Sequence, residues 1–407
     1  MTRHYSTKDF FRQIPNTLLQ RYFSKQGVWE NVDFEVLPES KPNILFGLWL
    51  NLTESQRNSM DAEFRDIFEL SCEKGFKAII DEAQWHLRDD QNRLAALIKE
   101  LAGLANHFER AMVTYLDHHR YWKGATRFYH ADTLPYWRKR NHMRNNSAAV
   151  DPESINELAN LIRNYFHHTE GRGNNCVVEP FRRGNLDYFF AYPEDYSQQS
   201  IEWVNGTFDK RPHNPAFEVV FVYSQKDGSL DLNFRGSSKA VEPLQSMFAK
   251  AILKLDELPP NPKDTRVYDL SPLLKKNFEF TYALGSGIEQ VAVQKLRLSS
   301  KIKKGDRITL EADTADNSNA VYELMEKMKS ALPMHMYNIT QAELSVRLSA
   351  NGDKAPKVVK VRITHPNSCS LKYEEMDLKL RDMLSASGLE PKEIITSIES
   401  TNAASQH

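Results

Sequence analysis

Apolar side chains recur every three or four residues through the first third of the chain. Over much of the remainder they recur every second residue. The first period is that of helices with one buried stripe; the second is that of strands. Residues 9–23 carry Phe10, Phe11, Ile14, Leu18, Leu19 and Phe23 near helical spacing, with Pro15 bending the path or delaying its start. Residues 41–50 form a short apolar piece, and a longer stripe follows from Thr53 through Met60, Phe64, Ile67, Phe68 and Cys72. Gly75 is expected to interrupt it. Ile79, Ile80 and Trp85 lead to Leu87, and Leu94, Leu97, Ile98, Leu101 and Leu104 predict another helix. Phe108, Met112, Tyr115 and Leu116 run on to residue 117, and the whole reads as a helical bundle.

Pro135 and the run Asn145 to Pro152 break this pattern. Asp151-Pro152 then restarts it, as an N-cap followed by proline at the first helical position. Ile155, Leu158, Ile162, Tyr165 and Phe166 give the new helix its buried face. From residue 175 the period becomes two. Residues 176–181 and 186–192 read as strands joined by Arg182-Arg183-Gly184-Asn185, and residues 217–223 as a central strand. Lys226-Asp227-Gly228 marks a turn into the alternation of Leu230, Leu232 and Phe234, and a helix follows with Val241, Leu244, Phe248, Ala251 and Leu255. Residues 258–264 suit a linker. The same order, hairpin then helix, recurs around 288–331 and 341–386, with turns at Lys304-Gly305-Asp306 and Asn351-Gly352.

The expected fold class is therefore α+β: an N-terminal α-helical domain followed by antiparallel β-hairpin/helix units. The expected divisions are an α-helical domain over 1–146, α+β domains over 151–258 and 266–397, and a disordered tail over 398–407. Each hairpin–helix unit is expected to make its own small sheet covered by its helix.

Composition narrows the class. A chain of 407 residues with 41% hydrophobic and 26% charged residues has the make-up of a globular protein of more than one domain. The longest apolar run, near residues 44–50, is far too short to cross a bilayer, so no membrane partner is expected. The opening MTRHYSTKDFF lacks the apolar core of a secretory leader. Three widely spaced cysteines, Cys72, Cys176 and Cys369, form no disulfide framework or zinc knuckle. A cytoplasmic protein is the resulting expectation.

Charge changes the picture more. The net charge is only −1, yet residues 111–146 carry +5 while 1–110 and 147–261 carry −3 and −5. Within 118–146, seven cations face one acid, Asp132, and six aromatic residues are interleaved with them. Cations release counterions from phosphates, and rings offer stacking platforms for unpaired bases. Arg120, Lys123, Arg127, Arg138, Lys139, Arg140 and Arg144 are the candidate phosphate contacts. Trp122, Tyr129 and Trp137 are the candidate stacking rings, and Arg172, Arg182 and Arg183 support them. The opposing reading is that the rings are core and the arginines pair with acids of the first half.

A second candidate lies in the loop His167 to Asn175. His168 and Glu170 have the chemistry of an acid and a base, His167 and Glu179 stand near in sequence, and Gly171 and Gly173 can turn backbone N–H groups toward an anion. The plain alternative is a turn. No Gly-Lys-Ser/Thr follows, so this is no Walker-type loop; HExxH, GxSxG and CxxC are absent. The scattered histidines lack metal-ligand spacing, so no metal and no cofactor are assigned. The expected function is a non-enzymatic nucleic-acid-binding or regulatory protein using the basic-aromatic surface. The alternatives are a non-catalytic interaction subunit with a protein partner, and a metal-dependent hydrolase or nuclease.

Overall fold

The structure, a computed structural model, describes residues 4–39, 41–204, 206–260, 267–276, 278–329, 333–349 and 356–390. The expected turn at Asn351-Gly352, the tail over 398–407 and most of the 258–264 linker lie outside them. The chain groups into two compact units, Met1–Thr133 with Glu179–Phe189, and Leu134–Val178 with Phe190–His407. The fold class is α+β, helical first and strand-rich afterwards.

The first unit is built from α1 (Thr7–Gln13), α2 (Asn16–Lys25), α3 (Asn43–Leu50), α4 (Glu54–Leu70), α5 (Glu73–His86), α6 (Gln91–Ala102), α7 (His107–Asp117) and α8 (Trp122–Thr133). Pro15 separates α1 from α2, because proline has no N–H to continue the first helix. Thr53 caps α4 in a reciprocal box with Gln56. The predicted stripe is the core: Phe10, Phe11, Phe23, Phe64 and Ile67 are essentially fully buried, and Phe64 packs its ring against Phe10, Tyr22 and Trp49. Gly75 does not interrupt a helix. It lies in the first turn of α5, where the break has already occurred at Ser71 and Cys72. A Cβ at Gly75 would come within 2.1 Å of the Leu70 carbonyl oxygen, so the missing side chain is what lets α5 start so close to the end of α4.

The second unit contains α9 (Pro152–Glu170), capped by Asp151 as expected, then α10 (Val241–Ala251), α11 (Ala320–Lys327) and α12 (Glu375–Ala386). Its strands are β1 (Trp137–Arg140), β2 (Cys176–Arg183), β3 (Leu186–Pro193), β4 (Gln198–Val204), β5 (Thr207–His213), β6 (Val219–Ser224), β7 (Ser229–Phe234), β8 (Ile288–Ser300), β9 (Arg307–Glu311), β10 (Tyr337–Leu348), β11 (Lys357–Thr364) and β12 (Ser368–Cys369). The far ends of β2 and β3 belong to the first unit. Pro180 sits in β2, an edge strand, where a missing N–H costs no ladder bond.

The recurring hairpins do not make separate sheets. They join one ten-stranded sheet of order β2-β3-β6-β7-β1-β12-β11-β10-β8-β9. The seam is β1, which pairs antiparallel with β7 on one side and with β12 on the other. Small separate sheets would leave open edges beside one another; pairing those edges through β1 satisfies their backbone groups. One core lies under β8, β10 and β11 with α11 and α12, and includes Leu296, Leu344, Val361, Ile363, Leu380 and Leu384. On β6, Phe221 and Tyr223 receive Phe248 of α10 at ring distances of 5.2 and 5.9 Å. The alternation along β7 does not mark a solvent face. Asp231 and Asn233 are buried too, and the Asn233 amide donates to the Pro135 carbonyl at 2.6 Å.

Candidate functional site

The basic-aromatic stretch divides between the two units. In the first, α8 and the turn before it carry Arg120, Trp122, Lys123, Arg127 and Tyr129. Trp122 is buried, with Tyr115 edge-on at 5.2 Å, and Tyr129 is half-buried. The Arg120 guanidinium donates to the Tyr121 hydroxyl and lies over that ring. Lys123 and Arg127 bracket Glu179 at 2.7 and 3.0 Å. Burial pushes the Glu179 carboxyl up, but those two cations outweigh it and its pKa falls below the ordinary value. Arg182 pairs with Asp187 at 2.8 Å and lies over Trp85. Arg183 is buried, with bonds of 2.8 Å to Asp81 and 2.9 Å to Asp132.

Behind this stretch lies a polar feature that residue order did not show. The buried Glu82 carboxyl accepts from, or donates to, the His86 ring at 3.0 Å, and its second oxygen has no hydrogen-bond partner among the described residues. Burial raises its pKa, with the His86 bond opposing. Gly124 of α8 leaves room for it, since a Cβ there would lie 2.1 Å from the carboxyl carbon.

In the second unit the cations of β1 are structural. Trp137 is buried, edge-on to Tyr373 at 5.6 Å. Lys139 pairs with Glu390 at 2.5 Å. Arg140 is buried and donates to the Pro259 carbonyl at 2.7 Å and to Gln245 at 3.2 Å. Arg138 reaches the Phe234 carbonyl at 3.4 Å, and Arg144 is exposed. A ring enclosed by its own core offers no face to a base, so Trp122 and Trp137 cannot stack on one in this fold. Arg140 and Arg183 are likewise enclosed.

The loop after α9 holds a clasp. Gly171 closes the helix at φ 70°, and its N–H donates to the His167 carbonyl. Arg172 pairs with Glu170 at 2.7 Å and Asp195 at 2.8 Å, with the Phe217 ring 3.9 Å from its guanidinium carbon. The guanidinium that was to meet an anion is already neutralised. His167 and His168 are exposed at the end of α9, ring to ring at 5.4 Å. Glu179, assigned with them to acid–base work, groups instead with Lys123 and Arg127 of the first unit. Among the described residues, no three His, Cys, Asp or Glu side chains converge as a metal site requires.

This clasp anchors an element that the pattern reading passed over. Asp195 stands just before β4, and Glu194 takes Asn175 at 2.6 Å and Asn214 at 2.8 Å, so both roots of the β4–β5 hairpin are pinned. The hairpin forms a two-stranded sheet of its own, outside the large one. Its register puts Trp203 opposite Phe208 and Ile201 opposite Lys210 on one face. The other face carries Ser200, Glu202, Asp209 and Arg211. The apolar face is in solvent: Ile201, Trp203 and Phe208 are 65%, 69% and 55% exposed, with the two rings 5.4 Å apart. The signal for it was present, in alternation at Ile201 and Trp203 followed by the dipeptide Asn205-Gly206. Among the described residues no helix is long and apolar enough to cross a membrane. Comparison with protein-family models gives no match to this chain, and comparison with curated proteins gives none either.

Proposed function

We propose that the protein is a non-catalytic interaction protein that engages a partner protein through the β4–β5 hairpin. The observation that carries this reading is the amphipathic ribbon with its apolar face in water. A two-stranded ribbon alone is marginal, and each large side chain left in solvent forgoes roughly 1.5–3 kcal/mol of burial. A pinned root supports an arm that keeps its shape before binding, which lowers the entropic cost of docking.

The test is photo-crosslinking in the native host from a reactive phenylalanine analogue at Ile201. A discrete protein adduct is expected, absent when Trp203→Ser and Phe208→Ser are also present. Those changes should leave stability within about 0.5 kcal/mol, since both side chains are exposed. No adduct, or one unaffected by the two substitutions, sinks the reading. Sedimentation separates a second copy of this chain from another protein.

The nucleic-acid reading rests on the cations that remain in solvent, Arg120 and Lys123 in one unit and Arg144 in the other. With so few, any affinity for single-stranded RNA or DNA should depend weakly on salt, with a logarithmic slope no steeper than about −2 for each unit. A slope of −5 or beyond in a titration would restore the basic stretch as a phosphate-binding surface.

A further inference from the structure

The two long edges of the β4–β5 ribbon differ. Pro212 sits opposite Gln199 and has no N–H, and the Lys210 N–H donates to the adjacent Asp209 carboxylate at 2.8 Å. Neither residue therefore donates to β4. In an antiparallel pair, opposed residues alternate between those that exchange backbone hydrogen bonds and those that do not. The ladder bonds thus run through Ser200 with Arg211 and Glu202 with Asp209, and Gln199, Ile201 and Trp203 turn their N–H and C=O groups outward from β4. On the outer edge of β5 the donor at Pro212 is missing and the donor at Lys210 is taken. On the outer edge of β4 every donor is present, and among the described residues no strand pairs with it. Proline and lysine are common means of blunting a sheet edge; β5 has both, and β4, Gln198–Val204, has neither. The polar face adds a charge. Glu202 lies directly opposite Asp209, and like charges opposed across strands destabilise the pair. Asp209 has Arg211 at 3.4 Å, whereas among the described residues no cation pairs with Glu202.

We infer that the β4 edge takes an extended, antiparallel strand of the partner protein, with a lysine or arginine opposite Glu202 between two apolar residues. This rests on the hairpin reading above and specifies how the hairpin binds. The incoming residues opposite Ile201 and Trp203 exchange backbone hydrogen bonds with β4, and their side chains extend the apolar face. The residue opposite Glu202 falls in a pair without backbone bonds, where side chains approach most closely. A cation there meets the carboxylate that Asp209 opposes. A third strand also completes a sheet that is marginal with two. Main-chain bonds then hold the partner, and the alternate side chains select it.

The full-length protein, labelled with nitrogen-15, is titrated with the peptide acetyl-Thr-Val-Arg-Val-Thr-amide and with its counterpart carrying Glu in place of Arg. The amide shifts of residues 199–203 are read. The arginine peptide should shift them and bind about tenfold more tightly than the glutamate peptide, since one places opposite charges and the other like charges across the pair. Glu202→Arg should reverse the preference, and Glu202→Gln should erase it. Methylating both valine nitrogens of the arginine peptide should abolish the shifts, because those N–H groups face β4. Methylating the arginine nitrogen, which faces away, should leave them. The inference is overturned if neither peptide shifts these amides, if the two bind equally, if Glu202→Arg keeps the original preference, or if valine methylation has no effect. The Ile201 adduct in the host is a separate readout. An adduct that forms while the peptides fail leaves the hairpin as the docking arm and removes strand addition as its mode; an absent adduct removes the hairpin reading itself.

Discussion

Gly75→Ala is expected to destabilise the helical unit by about 2 kcal/mol, the net of overpacking and a helix-propensity gain of about 1 kcal/mol. The added Cβ would lie 2.1 Å from the Leu70 carbonyl oxygen and 2.5 Å from both the carbonyl carbon and Cα. These are backbone atoms at the end of α4 and cannot rotate aside. The Leu70 oxygen is also committed, accepting from the Cys72 N–H at 2.8 Å. Relief therefore requires α5 to move away from α4. That movement opens packing around Ile79 and Ala83, which are fully buried. The propensity gain is the smaller term, so the sign is loss. Urea unfolding measures it, with Gly103→Ala as control. A Cβ at Gly103 would meet only the Lys99 and Glu100 carbonyl oxygens at 3.3 and 3.4 Å, on an exposed helix end. Equal midpoints for the two variants would show that the close approach at Gly75 has no energetic weight.

Arg183→Met is expected to cost more, about 3–5 kcal/mol at pH 7, because it strands buried charge. Arg183 and Asp132 have side chains 6% and 1% exposed, and Asp81 is 13% exposed. The guanidinium serves both carboxylates at once and also lies 5.4 Å from the Phe128 ring centre. Burial lowers its pKa, yet the neighbouring negative groups outweigh this and hold it above the ordinary arginine value. In the variant the folded state keeps the carboxylates but no counter-charge. Protonation relieves them, so the folded state binds protons more tightly than the unfolded state. Stability of the variant then falls as pH rises, and its deficit against wild type should shrink between pH 7 and pH 5. Adding Asp81→Asn and Asp132→Asn should recover most of the loss at pH 7. A deficit below 1 kcal/mol, or one independent of pH, would overturn the idea of a buried charge network. The Lys123 pair with Glu179 makes the contrast. Lys123 is 64% exposed, and such a pair contributes no more than about 1 kcal/mol.

The residues that pair with much of the basic stretch were all present in the sequence, and the reason they could not be read there is distance along the chain. Lys139 meets Glu390, 251 positions away, Arg183 meets Asp81, 102 away, and Arg140 meets the Pro259 carbonyl, 119 away. A cluster of cations looks the same in one dimension whether it faces solvent or an acid from another segment. The loop after α9 misled in the same manner: Arg172 and its glycines have the chemistry of an anion site, and Asp195 already fills it.

What the sequence determined by itself is local. The three-to-four spacing from Met60 to Ile67, the Asp151-Pro152 helix start, the turn at Lys226-Asp227-Gly228 and the alternation along β10 and β11 all act between near neighbours, and each produced the element expected. The α+β class followed from them. The Asn205-Gly206 signal was of the same kind and equally legible. Tertiary structure alone decided that Trp137–Arg140 would be a strand, that it would join the hairpins into one sheet, and which charges would be neutralised. A period reports which face of an element is buried; it does not report what buries it. The open edges of β7 and β12 are filled by β1, and only that pairing makes Trp137–Arg140, one part of the most basic segment of the chain, a strand inside the sheet.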